Sequence, residues 1–247
     1  MLRQFVADLH VHSLLSPCAD VEMSPRNIIR QAVLNGIDIV AITDHNASAN
    51  VRAFQQAAQG TGVTILPAME VETKEEIHLV TLFEDSGAIS AWENMVNQHL
   101  PDKKNDDNKF GGQFVVDAED ELVSVEERLL LTSLTLGVEE VVEQVNALGG
   151  LCIASHVDRP SYSLISQLGF IPPGIKLTAL ELSGRMSKED VLIKFPAFEK
   201  WPLILSSDAH SIDRFIQGPK TVFWLEAPTL SEIRSALTEG RTRWRKA

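Results

Sequence analysis

Ala7-Asp8-Leu9-His10-Val11-His12-Ser13 closes a short apolar run with two histidines one residue apart. Side chains alternate across a strand, so His10 and His12 share a face. Two neutral imidazoles side by side suit a divalent transition ion such as zinc, iron or manganese. The same pair also fits packed core or surface histidines, and the other histidines discriminate. Similar apolar runs end in Thr43-Asp44-His45, Met69-Glu70, Ile77-His78, Ser155-His156 and Ser207-Asp208-Ala209-His210. Only His99 stands outside the pattern. Ligand-type residues that recur just past strand-like segments converge most simply at the carboxyl end of one parallel barrel.

The bulk composition agrees with an enzyme-sized α/β chain. Its 247 residues are enough for one large domain, and motifs spread from residue 8 to residue 210 favour one domain over two. A formal charge of −12 reads against binding to a nucleic-acid backbone or a stable duplex, which needs clustered Lys and Arg. Two cysteines, Cys18 and Cys152, are too few for a disulfide scaffold and suit a reducing compartment. Met1 to Phe5 lacks a long apolar leader, and no run of about 18 apolar residues follows. The expectation is a soluble cytoplasmic protein without a membrane partner.

Taken in order, the pattern predicts a strand over 5–9 and a helix from Ser24-Pro25 to Leu34, ended by Gly36. A buried strand over 37–43 delivers Asp44 and His45, and a helix over 47–59 follows. Asp44 suits orienting an imidazole, handling a proton or capping that helix. Strands over 63–71 and 77–83 carry Glu70 and His78. Glu72 shares the strand face of Glu70 and competes for its role. A helix over 88–100, a polar and mobile loop over 101–112 and a hairpin of 113–116 with 121–125 come next.

An amphipathic helix over 138–148 leads to a strand over 151–154 and to His156. Arg159 is placed to meet a phosphate, with a surface ion pair to Asp158 or another acid as the alternative. A strand over 178–182 precedes Arg185 and Lys188, both candidate substrate contacts on a strand-to-helix loop. Strands over 203–206 and 221–225, a helix over 231–239 and a basic tail, Arg241 to Lys246, complete the chain.

Asp8-Leu9-His10-x-His12-Ser13, Ile42-Thr43-Asp44-His45, Glu70 after a Pro-containing strand, His78, His156 and Ser207-Asp208-Ala209-His210 resemble, in order, the motifs of the PHP (polymerase and histidinol phosphatase) family. The likeness covers nearly the whole chain. It implies a distorted (β/α)7-like TIM-type barrel with a small insert around 101–136. Family members supply a further ligand from the loop after the first strand. Here the turn reads Ser16-Pro17-Cys18-Ala19-Asp20, which makes Asp20 the candidate, Cys18 its rival and a loop cap the plain alternative.

The candidate donors are then His10, His12, Asp20, His45, Glu70, His78, His156, Asp208 and His210, too many for one cation. Two or three divalent ions, zinc, manganese or iron, are implied. By resemblance, His10, His12, Glu70 and Asp208 hold the first, Glu70, His78 and His156 the second, and Asp20, His45 and His210 the third. The chemistry implied is hydrolysis of a small phosphomonoester, nucleotide or short oligonucleotide by metal-bound hydroxide. Asp208 would align the water or take its proton, and His210 or Asp44 would protonate the leaving group. Two other readings stand beside this one. A non-catalytic metal-binding regulatory module would keep the ligands without turnover. An amidohydrolase-type C–N hydrolase also begins with His-x-His, but that class carries a mid-barrel Lys ligand, which none of these strand ends presents.

Overall fold

A computed structural model describes residues 1–245. Nine strands form one sheet in the order β11-β10-β1-β2-β3-β4-β7-β8-β9. They are β1 (Arg3–Val11), β2 (Ile39–Ile42), β3 (Thr64–Glu72), β4 (His78–Leu82), β7 (Leu151–Ala154), β8 (Ala179–Leu182), β9 (Leu203–Leu205), β10 (Lys220–Leu225) and β11 (Thr242–Arg245). A separate hairpin pairs β5 (Phe114–Val116) with β6 (Leu122–Val125). The main helices are α1 (Pro25–Asn35), α2 (Val51–Ala57), α3 (Ser86–His99), α5 (Val138–Ala147), α7 (Lys188–Lys194) and α9 (Leu230–Glu239). Shorter ones are α4 (Asp107–Phe110), α6 (Leu164–Leu168) and α8 (Ile212–Gln217). No helix among the described residues is long and apolar enough to cross a membrane.

The sheet curls into a nearly closed, distorted barrel of α/β type. Its two ends meet without a strand ladder: Leu205 N donates to Thr221 Oγ1 at 2.9 Å, that hydroxyl donates to Leu205 O at 2.8 Å, and Trp244 Nε1 donates to Leu203 O at 3.0 Å. Inside pack Ala7, Leu9, Ile39, Ala41, Leu66, Ala68, Val80, Ile153, Ala179, Ile204 and Phe223, and the cluster continues onto α9. Two outer clusters seat the remaining helices.

The barrel is not the parallel one expected. β1, β2 and β3 run parallel, as do β7, β8 and β9, but β4 is antiparallel to both β3 and β7, and β10 is antiparallel to β1. This reversal explains why His78 opens its strand while Glu70 nears the end of its own. Glu72 faces His78 in the register, so the start of β4 and the end of β3 meet at one rim.

Other expectations also shift. Residues 242–245 of the presumed tail form β11 against β10, while Lys246 lies outside the described residues. The helix expected over 47–59 begins only at Val51, and α6 and α8 had no periodic stretch long enough to announce them. The 101–112 loop is structured: it holds α4, and Asn105 N and Leu129 N tie it to Glu127 O and Lys103 O at 2.7 Å each. The hairpin falls where the alternation placed it, and its turn reaches α1. Asp120 accepts from Ser24 Oγ at 2.8 Å and from Arg26 N at 2.9 Å, capping a helix whose own Ser24 makes no cap bond. Gly36 then ends α1 in the left-handed region.

Replacing Thr221 by Val removes the one side chain among the described residues that bridges the barrel ends at Leu205 and leaves buried backbone groups unpaired. The urea midpoint is expected to fall by the equivalent of about 1–3 kcal/mol with an unchanged slope. An unaltered midpoint would show that this seam is held in another way.

Candidate metal centre

The interior alternation of each strand, continued upward, delivers the site. Ile39 and Ala41 lead to His45, Leu66 and Ala68 to Glu70, Val80 to His78, and Ala179 to Glu181. On β1 the pairing with β2 slips between Asp8 and Val11, breaking the alternation where His10 begins. Three rim residues bend by another route: Asn46, His156 and Asp208 hold left-handed backbone, with φ of +50°, +33° and +49°. Such backbone is uncommon outside glycine and concentrates at functional sites.

Glu70 lies at the middle. Its Oε1 stands 3.2 Å from His10 Nε2, 3.2 Å from His78 Nδ1 and 3.6 Å from His156 Nε2. Its Oε2 stands 3.3 Å from His12 Nε2 and 3.4 Å from His45 Nδ1. Asp208 closes the far side, with Oδ1 at 3.4 Å from both His10 Nε2 and His12 Nε2, and 3.6 Å from His210 Nδ1. Its Oδ2 meets Arg159 Nη2 at 2.5 Å, so Arg159 pairs with Asp208 and not with Asp158. Asp158 instead receives Ser183 N and Oγ, each at 2.7 Å.

Three groups of donors are close enough to share an ion: His10, His12 and Asp208; His45, Glu70 and His78; and His12, His45 and His210, with His156 outside them at 3.6 Å from Glu70 and His45 in the place expected for it beside His78. The chemistry of this set fits divalent cations. His10 Nε2 and His12 Nε2 face each other at 3.2 Å, and Glu70 Oε1 and His156 Nδ1 are buried without a well-formed hydrogen bond. Buried polar atoms of this kind call for a partner.

Behind the ligands a further layer fixes the rings. Glu181 accepts from His10 Nδ1 at 3.0 Å and from His156 N at 3.3 Å. Ser16 Oγ accepts from His12 Nδ1 at 3.0 Å and donates to Asp44 Oδ1 at 2.7 Å. Ser13 N and Oγ also donate to Asp44, at 2.7 and 2.6 Å. Asp44 therefore anchors Ser16 beneath His12 and does not cap α2. His210 Nδ1 donates to Asp208 O at 3.1 Å. Asp8 accepts from Ser207 N at 2.9 Å and pairs with buried Lys220 at 3.1 Å, steadying the segment that carries Asp208.

Two expected ligands are not drawn in. Asp20 is exposed, because its N–H is tied to His210 O at 2.8 Å and Ala19 N to Ser16 O at 2.9 Å, and the turn leaves its side chain outside the groups. Cys18, the rival, is exposed as well. His12 completes the third group in their place. Lys188 is also remote, exposed and 6.0 Å from the Trp244 ring. Arg185 is exposed but joins Arg159, Ser183, Gly184, Arg214, Gln217 and Pro219 around a cleft of 420 Å³. Glu181, Ser16 and Arg214 are the partners that the sequence reading passed over. A lone Glu within the apolar run Ala179–Leu182 was the available sign for the first.

The electrostatics follow from this packing. Burial opposes charge throughout, yet Glu181, Glu70 and Asp208 outweigh it and hold His10 well above the ordinary imidazole range. His78 is pushed up to about 9, as Glu70 and Glu72 outweigh burial. Conversely, burial and the neighbouring His12 bring His210 down to about 4. Glu70 stays well below the usual carboxylate range because His10 and His78 overcome its burial.

A family model for the PHP domain matches residues 8–164, more than half of the chain. The chain belongs to the PHP domain family. Among curated relatives, a 5'-3' exoribonuclease of Haemophilus influenzae is 32% identical over 78 residues, 30% of this chain and 27% of that protein. A phosphoribosyl 1,2-cyclic phosphate 1,2-diphosphodiesterase of Eggerthella lenta is 28% identical over 88 residues, 34% and 32% of the two chains. The matched stretches thus span about a third or less of these relatives. In fold, this PHP chain resembles the lesion-specific endonuclease EndoQ of Pyrococcus furiosus, with a TM-score of 0.71, 21% identity, and coverage of 98% of this chain and 58% of that one. An EndoQ complex with a 27-mer duplex carrying an abasic lesion matches with the same score.

A ligating imidazole must give up its proton, so an ion held by the PHP site would displace protons from His10, His12 and His78, whose acidic neighbours favour the protonated ring. Zinc affinity is expected to climb from pH 6 to 9 by about tenfold per unit for each proton released, measured by calorimetry in buffers of different ionisation enthalpy. Metal-free stability runs the other way. His78, raised from 6.5 to about 9, contributes fully below 6.5, and that contribution disappears as pH passes 9. Affinity independent of pH would contradict both signs.

Proposed function

We propose that this PHP domain is a divalent-metal-dependent phosphoesterase acting on a nucleotide or oligonucleotide. The observation that carries the reading is the cleft lined by Arg159, Arg185 and Arg214 and by no carboxylate, opening beside Asp208 at the edge of the imidazole cluster. In a chain of net charge −12, such a concentration of guanidinium groups suits a phosphorylated ligand. The named activities of the exoribonuclease, the cyclic-phosphate diesterase and EndoQ all concern phosphate esters and support the same class.

His10, His12, His45, Glu70, His78, His156, Asp208 and His210 would hold two or three ions. Bound zinc, manganese or iron supplies an activated water and neutralises phosphate charge. Arg159, half-buried and already bonded to Asp208, is positioned to turn its planar fork toward a phosphate oxygen while keeping that carboxylate in place. Asp208 would align the attacking water. Asp44 acts on His12 through Ser16, and both its oxygens are engaged, which assigns it positioning in place of proton delivery. The barrel and its 101–136 insert would act together as a single PHP-type domain.

The expectation against duplex binding, drawn from net charge alone, finds no support. Charge is distributed locally, and a neighbour in fold carries a duplex. The C–N hydrolase reading loses ground at Lys220. This buried lysine is fully engaged by Asp8, Phe215 O and Gly218 O and is not offered to an ion.

Chelation should abolish release of phosphate or nitrophenol from a panel of nucleotides, short oligonucleotides and aryl phosphodiesters, and manganese, iron or zinc should restore it. Full activity in the chelated protein, or turnover of cyclic amides alone, would sink the proposal. Arg159→Ala is expected to lower kcat/KM about 100-fold, with any loss of metal confined to the one ion that Asp208 would hold, as read by metal content measured on the same sample.

A further inference from the structure

Residues 130–136, the last part of the insert, run along the end of β3. Leu134 N donates to Glu72 O, and Lys74 N to Leu136 O, both at 2.8 Å. Asn46, next to His45, donates from Nδ2 to Leu130 O at 2.9 Å and to Thr132 O at 2.8 Å, and accepts from Glu72 N at 3.2 Å. Within this frame the Ser133 hydroxyl donates to Glu72 Oε1 at 2.5 Å. The other oxygen, Glu72 Oε2, stands 3.6 Å from His78 Nε2, a buried atom with no hydrogen-bond partner. The opposite ring nitrogen of His78 faces Glu70 at 3.2 Å.

From this chain of contacts we infer that the insert sets the His45–Glu70–His78 ion position, with Ser133 and Glu72 as positioning residues for His78. An imidazole that ligates through one nitrogen is oriented by whatever holds the other. His10, His12 and His210 are held in this way by Glu181, Ser16 and the Asp208 backbone, all outside the insert. For His78 the facing group is Glu72, whose second oxygen would be free to swing without Ser133. The short Ser133 bond leaves Glu72 one orientation, with the remaining oxygen on the histidine side. The inference rests on the metal-holding reading of the cluster and is independent of the substrate.

The test is cobalt titration of the intact metal-free chain, following visible absorption and binding heat, with Ser133→Ala, Ser133→Thr and Glu72→Gln. Ser133→Ala and Glu72→Gln should weaken one ion about 10-fold and change its absorption band, leaving the other ions at parental affinity. Ser133→Thr keeps the hydroxyl and should bind as the parent does. A folded Ser133→Ala protein with parental affinity and spectrum at every ion overturns the inference, even if its thermal midpoint drops. If Glu72→Gln does not fold, the Ala and Thr pair decides. A parental chain that binds no cobalt would be a separate result, removing the metal reading itself.

Discussion

One buried carboxylate governs the rim. Glu70 has five imidazoles within 3.6 Å and almost no contact with solvent. Removing an ionised carboxylate from water costs several kcal/mol unless opposite charge comes with it. The rings around it must therefore carry protons or share cations. Without ions, His10 and His78 take protons while His45 and His210 are driven neutral, since six imidazoles this close cannot all be charged. On the proposed reading, cations would replace those protons and let every ring be a neutral ligand.

The barrel is shaped to serve that arrangement. A strictly parallel sheet would bring the ends of its strands to one rim but would send the start of β4, with His78, to the other. Reversing β4 solves this, and it costs only one change of direction on each side. Where strand alternation points the wrong way, as at His156, the backbone enters the left-handed region to recover the direction.

Much of this was legible because ligands at a rim leave regular marks. His10 with His12, Asp44-His45, Glu70, His156 and Asp208-x-His210 each follow an apolar run, and period two gives the common face of His10 with His12 and carries the interior faces of their strands on to His45 and Glu70. The reversal of β4 was harder to read, since apolar alternation is identical in both senses along a strand. Asp20 stands outside the groups for a reason the residues do not show: ligand type can be read from sequence, whereas the placing of its turn involves a backbone bond to His210, distant along the chain. Glu181 and Lys220 were missed for a related reason. Each is a charged residue in an apolar strand whose counter-group, His10 or Asp8, lies far away along the chain. Lys188 showed that a rim loop of the right type can still turn away from the cleft.

The left-handed residues Asn46, His156 and Asp208 carry one more consequence. Each such position costs on the order of 1 kcal/mol or more, against net stabilities of roughly 5–15 kcal/mol for whole domains. Their burden is borne by the same contacts that a bound ion reinforces. On the proposed metal-holding reading, a shortage of those ions would leave the protein open to proteases for more of the time, and its abundance in a cell would follow their supply.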